Sequence, residues 1–392
     1  MSFAVLIPPY SKEQGVFFNL AQTTVALQQV ATRAGVRVYV AAPAQEQTPG
    51  LWALIRQHYP EDRIFVLENE TAALARAAEQ VLEREGRLVI HVQGNQQLRA
   101  VAPLKRRCPD RLKIVYTVHS FRNAGWRRIP YSWVVSRLMR RYVDYTVFLC
   151  PRAAQEFVNH DKVLAGGRGG VMISGVEEWP PEGPEVPGPG QLEEQTRSVL
   201  LDPDMFCFLY LATFHPNDGK GHHWLIEGAG PVLHRHRHVR LILAGRGHPR
   251  ALAAVREHCR TANICEQVHF PGFIDRRYVP WVIAQSNAGI ITSRSETFGH
   301  TIVEPMAGGK AVISSRVGVA QWLVMDFHTG IGVDYGDRVA LGRAIEYFVT
   351  HPDDVAQMGR NAQALARQLL TWQNVTASHL RIYQSLWTAD QA

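Results

Sequence analysis

Two glutamates eight positions apart, Glu296 and Glu304, are the residues whose type and spacing could do chemistry. Glu296 follows a short apolar run, residues 287–292, which is typical of a buried parallel strand. We therefore expect Glu296 at the carboxyl end of a strand, the edge where open α/β sheets bind ligands. Glu304 falls within a helical pattern, residues 300–307, one turn after His300 and on the same face.

The start of that helix has the features of an anion site. Gly299 permits a tight turn where the backbone approaches a ligand closely. Backbone N–H groups of Phe298, Gly299 and His300 lie at the helix start, where the helix dipole favours negative charge. A carboxylate beside an anion site suits a ligand with both hydroxyls and phosphates, and a nucleotide sugar is such a ligand.

The same segment resembles the retaining GT-B glycosyltransferases, especially glycosyltransferase family 4. That family carries a Glu-x7-Glu motif, which Glu296 and Glu304 match, and the run EPMAGGKAVI at 304–313 is similar to the family's run after the second glutamate. The resemblance implies that Glu296 contacts the donor sugar near its C3 hydroxyl and that Glu304 holds the ribose hydroxyls. It also implies that residues 298–300 meet the diphosphate. The alternative is a chance pair of glutamates in an ordinary α/β domain.

A second phosphate-binding element is expected in the loop 213–221. Lys220-Gly221 matches a Lys-Gly pair that grips the donor diphosphate in the family, and a cation on a glycine-flanked loop is a suitable phosphate partner. The family's arginine in this loop is missing, and His215 is nearest in spacing. The alternative for Lys220 is a solvated loop lysine.

Three further positions are assigned to the donor by the resemblance. Gly245 ends a strand in a Gly-x-Gly pattern, which is a weak signal alone. Phe273 ends a "V-x-F-x-G"-like run that frames the nucleobase in the family. Gly15 lies in the predicted loop 9–15, where the family has a glycine loop facing the donor phosphate. A glycine-containing helix entry explains Gly15 equally well.

Two histidines lie at strand ends in the N-terminal half. His119 directly follows the apolar strand 113–118 and should project from the carboxyl edge of its sheet, toward any interdomain cleft. The family has a histidine at this strand end that meets the donor sugar, so the resemblance makes His119 a catalytic candidate beside Glu296 and Lys220. His91 ranks lower, as a cleft-lining or supporting residue.

Alternating strands and helices predict an α/β fold with doubly wound parallel sheets. The resemblance implies GT-B architecture, in which two Rossmann-like domains face an interdomain cleft. We expect an acceptor-binding domain at 1–175, a nucleotide-sugar-binding domain at 176–370, and a last helix at 371–392 that crosses back to the N-terminal domain. The Pro- and Gly-rich stretch 179–190 should be a linker or surface loop.

Composition limits the class of protein. The chain has 392 residues, of which 46% are hydrophobic and 20% charged, as in an ordinary soluble protein. Its five cysteines have no metal-ligand spacing and are expected to be free thiols in a reducing, cytoplasmic compartment. No stretch approaches the ~20 apolar residues of a membrane span. We expect no cofactor and no metal, since Asp202-Pro203-Asp204 precedes a strand instead of ending one.

Positive charge is concentrated between residues 105 and 141, which hold eleven Lys or Arg and one acid, Asp110. Within this segment, 131–141 is an amphipathic helical pattern. It is either a helix packed on the sheet with a solvated basic face, or a contact through residues 122–141 to anionic lipid headgroups or an anionic acceptor. Nucleic acid is disfavoured because no base-reading module is present.

The resemblance implies a retaining transfer of a hexosyl group from a nucleoside diphosphate sugar to a hydroxyl acceptor. No carboxylate is placed as an obvious nucleophile, so a front-face route, in which the leaving phosphate takes the acceptor proton, fits better. Three alternatives stay open. They are a phosphorylase or synthase of the same fold, a sugar-nucleotide epimerase, and a non-catalytic nucleotide-sugar binder.

Overall fold

The chain forms two compact units, described here from a computed structural model. The first unit combines Met1–Gly175 with Trp372–Ala392, and the second is Val176–Thr371. The structure describes residues 3–8, 14–43, 49–67, 70–119, 129–152, 154–155, 168–176, 184–188 and 190–388.

The first unit is built on a parallel sheet whose central strands are almost fully buried, whereas its edge strands are partly exposed. Its strand order is β3-β2-β1-β4-β5-β6-β7, so the order reverses between β1 and β4. The strands are β1 Ala4–Ile7, β2 Arg37–Pro43, β3 Ile64–Leu67, β4 Leu88–Val92, β5 Leu112–Val118, β6 Tyr145–Phe148 and β7 Gly169–Val171. Their apolar runs are continuous because helices cover both faces of such a sheet.

Helices of the first unit cover this sheet. They are α1 Gln14–Arg33, α2 Pro49–His58, α3 Glu70–Glu85, α4 Asn95–Arg107, α5 Ile129–Tyr142 and the C-terminal α14 Trp372–Thr388. Leu380, Tyr383, Leu386 and Trp387 of α14 are buried in the same apolar cluster as the β1 residues Val5 and Ile7. The last helix of the chain therefore contributes to the core of the first unit.

The second unit repeats this plan with six parallel strands in the order β10-β9-β8-β11-β12-β13. The strands are β8 Phe206–Leu211, β9 Val239–Ala244, β10 Val268–Gly272, β11 Ala288–Ile291, β12 Ala311–Ser315 and β13 Gly330–Val333. The helices are α6 Glu194–Leu201, α7 His222–Arg235, α8 Pro249–Thr261, α9 Val279–Gln285, α10 His300–Ala307, α11 Ala320–Leu323, α12 Arg338–Thr350 and α13 Pro352–Leu369. The order reverses between β8 and β11. In doubly wound sheets such a reversal opens a crevice at the carboxyl ends of the two strands.

Two predictions from the sequence are wrong in detail. Helix α1 already begins at Gln14, so Gly15 lies in its first turn and not in the preceding loop. The loop itself, residues 9–13, lies outside the described residues. The sequence also has a helical pattern at 347–370, which predicts one helix. The structure divides it between two helices, because Pro352 lacks the N–H that continuation of α12 requires and instead occupies the first position of α13.

Candidate active site

Lys220 and Glu296 meet at the strand reversal of the second unit. Lys220 lies in the loop after β8, and Glu296 lies in the loop after β11. The Lys220 Nζ atom is 2.5 Å from Oε1 of Glu296, with 29% and 13% of the two side chains exposed. The ion pair is thus partly shielded from water yet reachable by a ligand.

The two loops that carry this ion pair are tied together by hydrogen bonds. The buried Tyr210 hydroxyl donates to the carbonyl of Lys220 at 2.6 Å and lies 3.0 Å from Oγ of Ser293. Ser293 Oγ in turn donates to Oε1 of Glu296 at 2.7 Å, and Thr292 Oγ1 donates to the carbonyl of Gly221 at 3.0 Å. These contacts fix the positions of the Lys220 ammonium and the Glu296 carboxylate relative to each other. The amino-acid sequence alone gave no reason to single out Tyr210 or Ser293, because tyrosines in strands and serines in loops are common.

The backbone conformation and the space at position 221 require a glycine after Lys220. The φ angle of Gly221 is 68°, and a Cβ at this position would lie 2.0 Å from the carbonyl oxygen of Thr292. A larger residue would force the Lys220 loop away from the end of β11.

The predicted turn and helix after Glu296 are confirmed. Gly299, with φ 99°, precedes α10, which runs from His300 to Ala307 as expected. Phe298 is buried, and its carbonyl accepts a hydrogen bond from the backbone N–H of Val319 at 2.9 Å. The turn is therefore held by a residue outside its own helix. Binding of a diphosphate by residues 298–300 stays a prediction.

Glu304, on α10, faces a residue that the sequence did not single out. Oε1 of Glu304 is 3.5 Å from Nη2 of Arg276, which lies in a short 3-10 helix, Arg276–Tyr278, after β10. A guanidinium beside the carboxylate orients the acidic side chain. No local motif marks Arg276, because its position depends on how the β10 loop folds back toward α10.

Two further donor candidates lie at the ends of β9 and β10. Gly245 donates its backbone N–H to the carbonyl of Gly272 at 2.8 Å, which joins the two loops. Phe273 is 53% exposed, and the Arg246 guanidinium carbon lies 3.9 Å from the centre of its ring. An exposed aromatic ring with a cation on one face is a suitable stacking surface, and its contact with a nucleobase stays a prediction.

In the first unit, His119 is held by a residue at the end of the neighbouring strand. His119 follows β5, and its Nε2 is 2.6 Å from Oε1 of Gln93, which follows β4. Because the amide oxygen accepts, Nε2 carries the proton and Nδ1 is the acceptor. Burial lowers the pKa of His119 to about 4, so the imidazole is neutral near pH 7.

His91 is not a cleft-lining residue. It is buried within the first unit, where Nδ1 is 2.6 Å from the Tyr383 hydroxyl and Nε2 is 2.7 Å from Oγ1 of Thr117. Nδ1 thus joins β4 to helix α14 and Nε2 joins β4 to β5, so both ring nitrogens are used inside the unit.

The comparisons with known proteins concern the family of the second unit and the fold of the chain. The family model described as "Glycosyl transferases group 1" matches residues 192–365, which is most of the second unit. Residues 192–365 are a glycosyl transferases group 1 domain.

Curated relatives match parts of the chain. D-rhamnosyltransferase WbpZ of Pseudomonas aeruginosa is 35% identical over 107 residues, which cover 26% of this chain and 28% of that protein. D-inositol 3-phosphate glycosyltransferase of Gordonia bronchialis is 29% identical over 204 residues, or 50% of this chain and 43% of that protein. The matches thus span less than half the length of these two relatives.

Solved structures match the whole chain. HepE (Alr3699) of Anabaena, in complex with UDP, superposes with a TM-score of 0.73 at 19% identity, over 98% of this chain and all of that one. Sucrose-phosphate synthase of Thermosynechococcus elongatus gives 0.71 at 20% identity, over 99% of this chain and all of that one. At this identity the likeness concerns the fold, and the predicted GT-B fold of two doubly wound parallel sheets is confirmed.

His215 also lies in the group 1 domain. It lines a cavity with Asp218, His223 and Arg250, and neither Lys220 nor Glu296 lines that cavity. Its predicted contact with the donor diphosphate stays a prediction.

The basic segment before the group 1 domain is less exposed than its composition indicates. Lys105 is buried and pairs with Asp144 at 2.9 Å, and Lys113 is buried with its ammonium 5.4 Å from the centre of the Trp387 ring. The α5 residues Arg137, Arg140 and Arg141 are exposed, whereas residues 120–128 lie outside the described part. Contact with an anionic membrane stays a prediction for residues 122–141.

Among the residues that the structure describes, no group of three or more His, Cys, Asp or Glu side chains is arranged to hold a metal ion. None of the helices described combines the length and the apolar character needed to cross a bilayer.

Proposed function

We propose that this protein is a retaining glycosyltransferase that transfers a hexosyl group from a nucleoside diphosphate sugar to a hydroxyl acceptor. The observation that carries the proposal is the Lys220–Glu296 ion pair at the strand reversal of a group 1 domain. A cation and a carboxylate at this edge suit a ligand with a diphosphate on one side and sugar hydroxyls on the other.

In the proposed reaction, the bond between the anomeric carbon of the sugar and the diphosphate oxygen breaks. A bond from the acceptor oxygen to the same carbon forms on the same face, which retains the configuration. The acceptor proton passes to the leaving diphosphate oxygen. Lys220 and the amide groups at the start of α10 stabilise the charge that develops on the diphosphate.

The two glutamates take different parts in this proposal. Glu296 accepts hydrogen bonds from sugar hydroxyls, and its orientation comes from Ser293. Glu304, held by Arg276, accepts from the ribose hydroxyls. His119, neutral near pH 7, is proposed as a further contact of the donor sugar.

UDP-sugars are the first donors to test. The HepE structures are described as complexes with UDP, with UDP and glucose, and with UDP-glucose. We propose that a UDP-sugar is also the donor of the present chain, and GDP- and ADP-sugars are the alternatives to compare with it.

The test is a transfer assay with a panel of nucleotide sugars and hydroxyl acceptors, in which NMR follows the anomeric configuration of the product. We expect a glycoside with the configuration of the donor, formed without inorganic phosphate. A product that requires phosphate would indicate a phosphorylase, and an epimerised nucleotide sugar formed without acceptor would indicate an epimerase. Saturable donor binding without any turnover across the panel would contradict the enzymatic proposal.

A further inference from the structure

The ring of His119 uses only one of its two nitrogens inside the first unit. His119 directly follows β5 and is partly buried. Its Nε2 is hydrogen-bonded to Gln93, and within the part of the chain that the structure describes no hydrogen bond reaches Nδ1. A polar atom that is partly withdrawn from water costs free energy when it has no partner, and a ligand that supplies the hydrogen bond removes this cost.

Gln93 decides what kind of hydrogen bond Nδ1 can make. Oε1 of Gln93 lies 2.6 Å from Nε2, and an amide oxygen only accepts, so the proton of the ring is on Nε2. Burial lowers the pKa of His119 to about 4, so the ring holds no second proton near pH 7. Nδ1 therefore presents a lone pair and can accept a hydrogen bond but not donate one.

The position of Gln93 is itself fixed by a second glutamine. The backbone N–H of Gln93 donates to Oε1 of Gln97 at 2.7 Å, and Nε2 of Gln97 donates to the carbonyl of Pro8 at 3.3 Å. Pro8 follows β1, Gln93 follows β4, and Gln97 lies in the first turn of α4. Gln97 thus joins the carboxyl ends of β1 and β4 and holds the backbone from which the Gln93 amide reaches His119.

We propose that Gln93 is a positioning residue that fixes His119 as a hydrogen-bond acceptor, so that the site selects a donor sugar with a hydroxyl facing Nδ1. A hydroxyl can donate its proton to this nitrogen, a deoxy position cannot, and an ionised carboxylate would place a second acceptor against the lone pair. The favoured substrate class is a neutral hexose that carries this hydroxyl, and the disfavoured class is the matching deoxy sugar or uronic acid. The inference rests on the proposed function, because it takes the donor sugar as the ligand of His119.

The first measurement is calorimetric titration of UDP-glucose and of analogues in which one hydroxyl, at C2, C3, C4 or C6, is replaced by hydrogen or by fluorine. Fluorine cannot donate, so both replacements remove the hydrogen bond to Nδ1. We expect one position at which both analogues bind the wild type roughly ten-fold more weakly than UDP-glucose. At this position the analogues and UDP-glucose should bind His119→Ala nearly equally, and the difference should also be much smaller in Gln93→Leu. Losses at the other positions should stay as in the wild type.

The second measurement is the tautomer of His119, which nitrogen-15 NMR of the full chain reports without any ligand. Near pH 8 the wild type should carry the proton on Nε2, and His119→Ala identifies the signal by its loss. Gln93→Leu should give a mixture of tautomers, whereas Gln93→Glu, which keeps an acceptor oxygen, should retain the Nε2 proton. The matched control is Gln80→Leu on the exposed face of α3, which should leave the tautomer and the affinity for UDP-glucose unchanged.

The two measurements separate this inference from the proposed function. A wild-type ring protonated on Nδ1, or a ring that stays on Nε2 in Gln93→Leu, overturns the role of Gln93. Analogue losses that are the same in the wild type and in His119→Ala overturn the selection of a hydroxyl. If none of UDP-, GDP- and ADP-glucose binds, the proposed function fails together with that selection, whereas the NMR result still supports or overturns the role of Gln93. Gln93→Met takes the place of Gln93→Leu, with the same expectations, if the latter does not fold.

Discussion

Nζ of Lys220 and Oε1 of Glu296 lie 2.5 Å apart, although 76 positions separate the two residues in the chain. Each follows one of the two strands between which the order of the second sheet reverses. The pair is held by Tyr210 and Ser293, so its geometry is set before any ligand arrives. Preorganised charge of this kind is what stabilisation of a departing diphosphate requires.

Replacing Glu296→Gln should separate donor binding from transfer. The amide keeps the size of the side chain but removes the charge that faces Lys220 and the sugar hydroxyls. We expect transfer to fall by roughly 100-fold, the scale seen when one electrostatic group of an active site is lost. The affinity for a nucleoside diphosphate without sugar should fall much less. Full transfer activity in this variant would exclude Glu296 from the site.

Tyr210 and Ser293 are positioning residues, and their effect should pass through Lys220 and Glu296. Tyr210→Phe removes the bond to the Lys220 carbonyl and should cost about 1 kcal/mol of folding stability. Ser293→Ala should lower kcat, whereas Ser293→Thr, which keeps the hydroxyl, should restore most of it. Urea unfolding of Tyr210→Phe and steady-state kinetics of the two Ser293 variants check these expectations. Equal losses for the alanine and threonine variants would indicate a packing role only.

Gly318 supports the turn before α10. Its φ is 51°, and a Cβ there would lie 2.2 Å from the Phe298 carbonyl oxygen. Gly336 also has positive φ, 95°, but nothing lies within 4 Å of its Cβ position. We expect Gly336→Ala to cost about 1 kcal/mol through backbone strain alone and Gly318→Ala to cost clearly more. Thermal unfolding measures both, and equal shifts in Tm would contradict the packing argument.

Acid should weaken the first unit through its buried histidines. Burial lowers the pKa of His379 to about 4 and that of His91 well below its ordinary value of 6.5. In this window the unfolded chain binds more protons than the folded chain, so stability is full above about pH 6.5 and decreases as the pH falls toward 4. Each histidine is neutral in the core that includes α14.

Urea titrations of the wild type and of His379→Gln between about pH 6.5 and pH 4 check the predicted loss of stability with acid. The variant should show a smaller loss of unfolding free energy with acid, whatever its stability at neutral pH. An unchanged dependence in His379→Gln would contradict the assignment.

Local patterns predicted much of the fold and the elements of the candidate site. The run 287–313 has strand, turn, helix and strand in the order that the structure confirms, because its apolar run, Gly299 and the helix stop near Gly308 are local signals. In contrast, β7 is Gly169–Val171, whose two glycines have no strand signature. It is defined only by its pairing with β6.

Contacts across the sheet could not be read from the sequence. Arg276 lies beside Glu304 because the β10 loop folds toward α10. His91 is hydrogen-bonded to Tyr383, which follows it by 292 positions in the chain. The exposed positive charge of the segment 105–141 is overestimated from the sequence for a related reason. Lys105 and Lys113 are directed into the first unit, where they contact Asp144 and Trp387. Charge counted along the chain does not distinguish buried from exposed side chains.

The measurement that tests the central claim most directly is calorimetric titration of UDP, GDP and ADP into the wild type, Lys220→Gln and Arg338→Gln. Arg338 pairs with Glu227 at 3.0 Å on an exposed face of the same unit. Arg338→Gln is therefore a matched control, because it also removes the cation of one ion pair. We predict binding of at least one nucleotide, weakened about ten-fold or more by Lys220→Gln and unchanged by Arg338→Gln. No nucleotide binding, or equal affinity in all three proteins, would contradict the assignment of Lys220 and Glu296 to a nucleotide-sugar site.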